Sequence, residues 1–226
     1  MVTGSFLFSY PVAKNVICFV LECENSVMSR ERQVLAKLEQ FAHFIHLLHD
    51  VDRVARTPGA ERFSNTAEHS FQVAFLAWFV LDTLNLPLDR EKVLRYALAH
   101  DVIEAYAGDT YIYDTKARET KERREREAFE KVRENFSEFS SLIETVDAYE
   151  KRGDEESKFV YALDKLIDPL NITMEEGRSL WKECGVSYDD IRSYKDKKIA
   201  TSEYIDPYWK QLLEKIEKNK SLYFDI

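Results

Sequence analysis

The chain has 226 residues, 45% hydrophobic and 32% charged, which suits one globular domain with a substantial core and excludes a disordered chain. A formal charge of −9 argues against a nucleic-acid coat, which needs a basic face to displace counterions from phosphates. A small anionic substrate remains admissible where local Arg and Lys or a bound cation reverse the field. In chain order, the opening "SFLFSYPVAKNVICFVLE" is apolar but is interrupted by Pro11, Lys14 and Asn15 and lacks a basic leader and a small-residue cleavage site. It reads as neither a signal peptide nor a membrane span, so residues 1–28 are taken as an N-terminal extension, either packed on the domain or loose. Cys18, Cys23 and Cys184 show no C-x-x-C spacing, so neither a disulfide framework nor a thiolate zinc site is indicated, and a reducing cytoplasm is the simplest compartment.

Residues 29–226, with 6 Gly and 5 Pro in the whole chain and apolar residues spaced by three and four, read as a single all-α domain. The pattern predicts helices near 29–49, 66–84, 90–107, 116–136, 137–151, 155–168, 170–183 and 202–219. Asn65 with Glu68, or Thr66, caps the second; Asp89 caps the third and Gly108 ends it. The span "TKARETKERREREAFEKVRENF" reads as a solvated helix laced with i,i+4 ion pairs, and Pro169 is expected to cut the helix carrying "FVYALDKLID" from the next one.

The chemistry-bearing stretch is "ALAHDVIEAYAGD", residues 97–109. His100 and Glu104 are i,i+4 and Asp101 and Glu104 are i,i+3, so the three can converge on one patch. Negative partial charge at the helix C-terminus favours a cation there, and a divalent metal would neutralise the carboxylates and use neutral imidazole as a ligand. One helix cannot complete a coordination sphere. His69, in a helix otherwise made for burial, and Asp164, on an apolar stripe of its helix, are the further candidates. The two-imidazole, two-carboxylate set suits Mn, Co, Fe, Mg or Zn. Taken singly, each has a plainer account: a hydrogen-bonded core histidine, or an aspartate facing water beside Lys165 or paired with Tyr161 or an Arg. A second His-Asp pair, His49-Asp50, ends "FAHFIHLLHD", where His43, His46 and His49 recur every three residues without an intervening carboxylate. That is a poor match to H-E-x-x-H logic; helix-end pairing for His49 and a pocket or interface place for His43 and His46 are expected.

The order H…HD…D, carried by "RFSNTAEHSFQVA", "ALAHDVIEAYAGD" and "EESKFVYALDKL", resembles the HD-domain metal-dependent phosphohydrolases, and within them the branch of bacterial 5′-deoxynucleotidases and their archaeal and eukaryotic relatives. The resemblance covers about residues 29–184 and implies a helical HD-domain bundle. It further implies His69, His100, Asp101 and Asp164 as ligands of a divalent metal, Glu104 beside the nucleophilic water, and Asp109 near the sugar hydroxyl. It places a phosphate-binding Arg upstream of His69, where Arg53, Arg56 and Arg62 are available and Arg62 fits best by spacing. The Arg-Trp pair of the bacterial enzymes has no counterpart in "RVARTPGAER". The implied activity is removal of the 5′-phosphate from (deoxy)nucleoside monophosphates, by an enzyme of a branch in which homodimers are common. The alternatives are a nucleoside triphosphate triphosphohydrolase of the same superfamily, or a degenerate scaffold that binds nucleotide or partner without turnover.

Overall fold

Helix-favouring sequence dominates the computed structural model, which describes residues 30–56, 62–111, 114–174 and 180–225; the extension at 1–28 lies outside them. The elements are α1 (Arg30–Leu47), a 3-10 turn (Leu48–Asp50), β1 (Asp52–Arg56), β2 (Phe63–Asn65), α2 (Thr66–Leu84), α3 (Arg90–Ala99), α4 (Glu104–Ala107) and α5 (Thr115–Arg118). They continue with α6 (Lys121–Asn135), α7 (Ser140–Lys151), α8 (Glu155–Ile172), α9 (Leu180–Glu183), α10 (Tyr188–Ile199), α11 (Asp206–Lys218) and α12 (Lys220–Tyr223). Residues 30–39 are the exposed N-terminal part of α1; the body is residues 40–225. No helix among the described residues is long and apolar enough to cross a membrane.

Local chemistry explains most boundaries. The Asn65 side chain accepts from the Glu68 backbone while Glu68 reaches back to the Asn65 backbone, a capping box that starts α2. Asn85, left-handed at φ 46°, ends it. The Asp89 side chain accepts from the Lys92 backbone to start α3, and Gly108 at φ 72° closes α4 by donating to the Glu104 carbonyl at 2.8 Å. The charged span forms α6 with the expected Arg123–Glu127 and Lys121–Glu125 pairs, while Ala128 and Val132 face inward.

Five sequence expectations need correction. The helix expected over 90–107 is interrupted after Ala99, where Val102 donates to Ala99 at 3.1 Å and Glu104 to Asp101 at 2.9 Å. These i→i+3 bonds wind the chain more tightly than an α-helix. Pro169 does not cut the chain: α8 runs through it to Ile172, and Pro169 is buried, so burial of the last turn outweighs the backbone bond that proline lacks. In place of the helix expected over 170–183, the described residues show α8 ending at Ile172 and the short α9 at Leu180–Glu183. Two elements were also unforeseen, the small antiparallel pair β1–β2, with Asp52 opposite Asn65 and Arg56 opposite Phe63, and α10, which opens with a capping box between Ser187 and Asp190.

The apolar faces gather in two clusters. One joins α2, α3, α8, α10 and α11 through fully buried Val73, Leu81, Val93, Phe159, Ile167, Ile199 and Trp209. The other joins the C-terminal part of α1 to α6 and α7 through Phe44, Val102, Val132 and Val146. Ala97 belongs to the first and Ala99 to the second. The His100-Asp101 pair therefore follows at the seam between two cores, where packing on both sides holds it.

Candidate metal centre

The polar side chains of the centre come from four separate segments, α2, the turn after α3, α8 and β1. His69 lies in the first turn of α2, whose start is held both by the capping box and by the Thr66 amide donating to the Val51 carbonyl at 3.0 Å. His100 and Asp101 sit in the tight turn after α3. Asp164 and Asp168 are one turn apart on α8, which Asp154 starts by accepting from the Ser157 amide at 2.8 Å. Arg53 enters from β1.

His69, His100 and Asp101 offer ligand atoms that all lie within 4.8 Å of one another. His100 Nε2 is 3.0 Å and His69 Nε2 3.7 Å from Asp101 Oδ2; His69 Nε2 is also 3.0 Å from Asp164 Oδ1. His69, His100 and Asp164 are all buried. The tautomer of His100 follows from its surroundings: Nδ1 is 2.9 Å from the Ala97 carbonyl, which can only accept, so Nδ1 carries the hydrogen. In the neutral ring Nε2 then points a lone pair toward a carboxylate oxygen; the atom is buried without an aligned hydrogen bond. A lone pair facing a carboxylate is stable only with a cation between them, either a proton or a metal ion. The donor set fits a divalent ion, with imidazole nitrogens and carboxylate oxygens from two helices, α2 and α8, and the turn after α3.

The electrostatics agree. Burial alone would neutralise the Asp101 carboxyl, but the adjacent His100 holds it far below the usual range; Asp164 is likewise held down by Lys165 and His69 against its burial. His100 is lowered by burial yet raised by Asp101, with the net at about 9, while burial and Arg53 depress His69. Glu104, whose Oε2 accepts from the Thr66 hydroxyl at 2.8 Å, is pushed up to about 8 by burial and by Asp101 and Asp109. Neighbouring carboxyls driven in opposite directions mark a site that can hold one as a base or acid.

A cleft of about 340 Å³ opens on this cluster, lined by Arg53, His100, Asp101, Glu104, Asp109 and Asp164 among others. Beside it is a smaller slot of about 80 Å³ walled by Val54, Pro169, Ile172, Leu180, Trp181 and Ile191. Arg53, Asp109, Thr110, Asp168 and Lys195 line both.

Of the arginines singled out by spacing whose side chains are described, Arg53 is the one in the cleft, bracing Asp101 at 3.3 Å and Asp168 at 3.7 Å. Arg62 is exposed and forms a fork on Glu68, so it supports the start of α2 rather than the cleft. Arg56 closes β1, and its side chain lies outside the described residues. His43, His46 and His49 are exposed; none lines the cleft or the slot. Asp168, Lys165 and Lys195 were missed. Asp168 had a signal, its i,i+4 spacing from Asp164; Lys195 had none while α10 was unassigned.

A cluster of cations borders the centre. Lys198, stacked over the Tyr194 ring at 3.2 Å, is pushed down from 10.5 to about 7 by burial and by Lys165, Lys195 and Arg118. Its folded form gives up a proton that the unfolded chain keeps, so between about pH 7 and 10.5 the unfolded state binds more protons and stability rises with pH. Below that window the penalty is complete. Lys198→Met is therefore expected to raise Tm at pH 6.5, with the gain shrinking toward pH 10 in a thermal-denaturation series; a gain that grows with pH would contradict this.

Fold and site together define a helical protein with a buried, carboxylate-rich two-imidazole centre. The chain belongs to the HD domain family, whose profile matches residues 45–205. It is 31% identical over 128 residues to the 5′-deoxynucleotidase HDDC2 of Mus musculus, covering 54% of this chain and 63% of that protein. The same protein of Homo sapiens is 30% identical over 128 residues, covering 54% of this chain and 61% of that protein. The chain thus spans about three fifths of the length of these relatives. A structure from Magnetospirillum magnetotacticum described as a predicted metal-dependent phosphohydrolase superposes with a TM-score of 0.70 at 27% identity, covering 84% of this chain and 96% of that one. The PH0347 protein of Pyrococcus horikoshii shares the fold, with a TM-score of 0.56 at 24% identity over 81% of this chain and 98% of that one.

Proposed function

We propose that the chain is a metal-dependent phosphohydrolase that removes the 5′-phosphate from (deoxy)nucleoside monophosphates, with His69, His100, Asp101 and Asp164 as the metal ligands. The observation that carries this reading is the buried His100 Nε2, which lacks an aligned hydrogen bond, lies within 4.8 Å of ligand atoms of His69 and Asp101, and belongs to a residue that lines the cleft together with Asp101 and Asp164. The names of the relatives, 5′-deoxynucleotidases and a metal-dependent phosphohydrolase, point the same way.

A divalent ion so held would polarise a phosphoryl oxygen and bring the pKa of a water from about 16 to near 7. Glu104, steadied by the Thr66 hydroxyl, takes the proton of the attacking water. Arg53 keeps Asp101 and Asp168 in place. Asp109, at the seam of cleft and slot, accepts a hydrogen bond from a sugar hydroxyl, and the apolar slot with Trp181 takes the base. A phosphate next to a ring-sized apolar slot is the shape of a nucleotide.

The test is phosphate release by the full chain, with manganese, cobalt, magnesium or zinc, from a panel of nucleoside monophosphates and triphosphates. Inorganic phosphate from monophosphates is the expected product. Triphosphate released from triphosphates would replace this assignment with the triphosphohydrolase; no turnover and no metal retained after purification would leave a scaffold without catalysis.

A further inference from the structure

Five cationic side chains line the cleft: Arg53, Lys121, Arg152, Lys165 and Lys195. Four are matched to their own carboxylates. Arg53 meets Asp101, Lys121 meets Glu125, Arg152 is beside Glu150 and Lys165 is 2.6 Å from Asp164. Lys195 differs. It is 5% exposed, and among the described residues its ammonium has one carboxylate within ion-pair reach, Asp168 at 3.9 Å, which Arg53 already approaches at 3.7 Å.

A buried ammonium with so loose a partner is costly. The neighbouring Lys165 adds repulsion, and burial leaves the Lys195 ammonium pushed down to about 8 despite Asp168. An anion arriving in the cleft would relieve both effects. The position is also apt: Asp168, beside Lys195, is one turn, about 6 Å, along α8 from Asp164. One phosphoryl group with charged contacts on opposite sides bridges about that distance. Lys195 further lines both compartments, so it stands where the phosphate must join the rest of the substrate.

Resting on the phosphohydrolase reading, we propose that Lys195 of α10 is the side chain that grips the substrate's phosphate, and that Arg53 is a brace for Asp101 and Asp168 rather than a phosphate ligand. The role expected of an upstream arginine is thereby filled from the other end of the domain. Lys195→Met keeps the aliphatic stem and removes the charge; Lys195→Arg keeps the charge.

Binding of deoxythymidine 5′-monophosphate and of deoxythymidine is measured by calorimetry on the manganese-loaded full chain carrying Glu104→Gln, with Lys195 intact or replaced. Turnover is measured with Glu104 restored. A charge-assisted contact is worth about 1.5–3 kcal/mol, so Lys195→Met is expected to weaken the monophosphate about 10- to 100-fold and leave deoxythymidine unchanged. KM should rise to match, and Lys195→Arg should restore much of the loss. Equal monophosphate affinity in Lys195→Met, with an active parent, overturns the inference and leaves the phosphohydrolase reading standing. So does an equal loss for both ligands, or a loss that arginine does not repair, because either marks a structural lysine. A parent chain that hydrolyses no monophosphate fails at the earlier step, and the inference falls with it.

Discussion

On the proposed function, alanine at His100 is expected to reduce phosphate release from a nucleoside monophosphate by about 10³-fold or more and to leave the purified protein without a retained divalent ion. The magnitude follows from the several kcal/mol that a metal ion contributes to stabilising phosphoryl charge, each 1.36 kcal/mol being tenfold in rate. His100 is suited to this test because its Nδ1 is committed to the Ala97 carbonyl, so its only chemical freedom is at Nε2. Asp164 gives the companion experiment. Asp164→Ala would also strand the Lys165 ammonium now 2.6 Å from its Oδ2, and breaking a buried pair costs about 3–5 kcal/mol. Asp164→Asn keeps the shape and is the better choice. Metal content by atomic emission after dialysis, read beside Tm, separates a lost ligand from a lost fold. Undiminished turnover in either variant would remove the basis of the metal centre.

Glu104→Gln is expected to lower the rate about 10²-fold or more, the usual worth of a general base, with manganese or cobalt still bound. The amide still accepts from the Thr66 hydroxyl, so the side chain keeps its position and loses only its ability to take a proton. Because burial with Asp101 and Asp109 raises the Glu104 carboxyl to about 8, the group is placed to exchange a proton near neutrality. Loss of the ion in this variant would instead make Glu104 a ligand.

How much of this was written in the chain depends on the range of the signal. The start of α2 was legible because Asn65, Thr66 and Glu68 are adjacent in sequence and the capping box is local chemistry. His69, His100, Asp101 and Asp164 were nameable because charged or imidazole groups on apolar faces demand partners, and the order of the three segments matched a known family. Helix interruption at His100 was not legible: the apolar period continues through it, and only packing between two cores favours the tighter winding. Pro169 misled for the converse reason, since tertiary burial of Leu166, Ile167 and Ile172 outweighs a local breaker. Arg62 had the right spacing but a nearer partner in Glu68, and no sequence rule ranks an exposed fork against a distant cleft. Lys195 was hidden because its helix was hidden, although the Ser187 and Asp190 box was there to be read.

The winding after Ala99 has a consequence for how the molecule comes together. Positions 53, 69, 100, 101, 104, 164, 168 and 195 meet only when strand, turn and four separate helices have docked, so no fragment short of nearly the whole body contains a working pocket. An ion that enters this pocket therefore acts as a clasp on the finished architecture: at a hundredfold excess over its dissociation constant it would add about 2.7 kcal/mol to the folded state. Scarcity of that ion would then reduce the lifetime of the protein in step with its output.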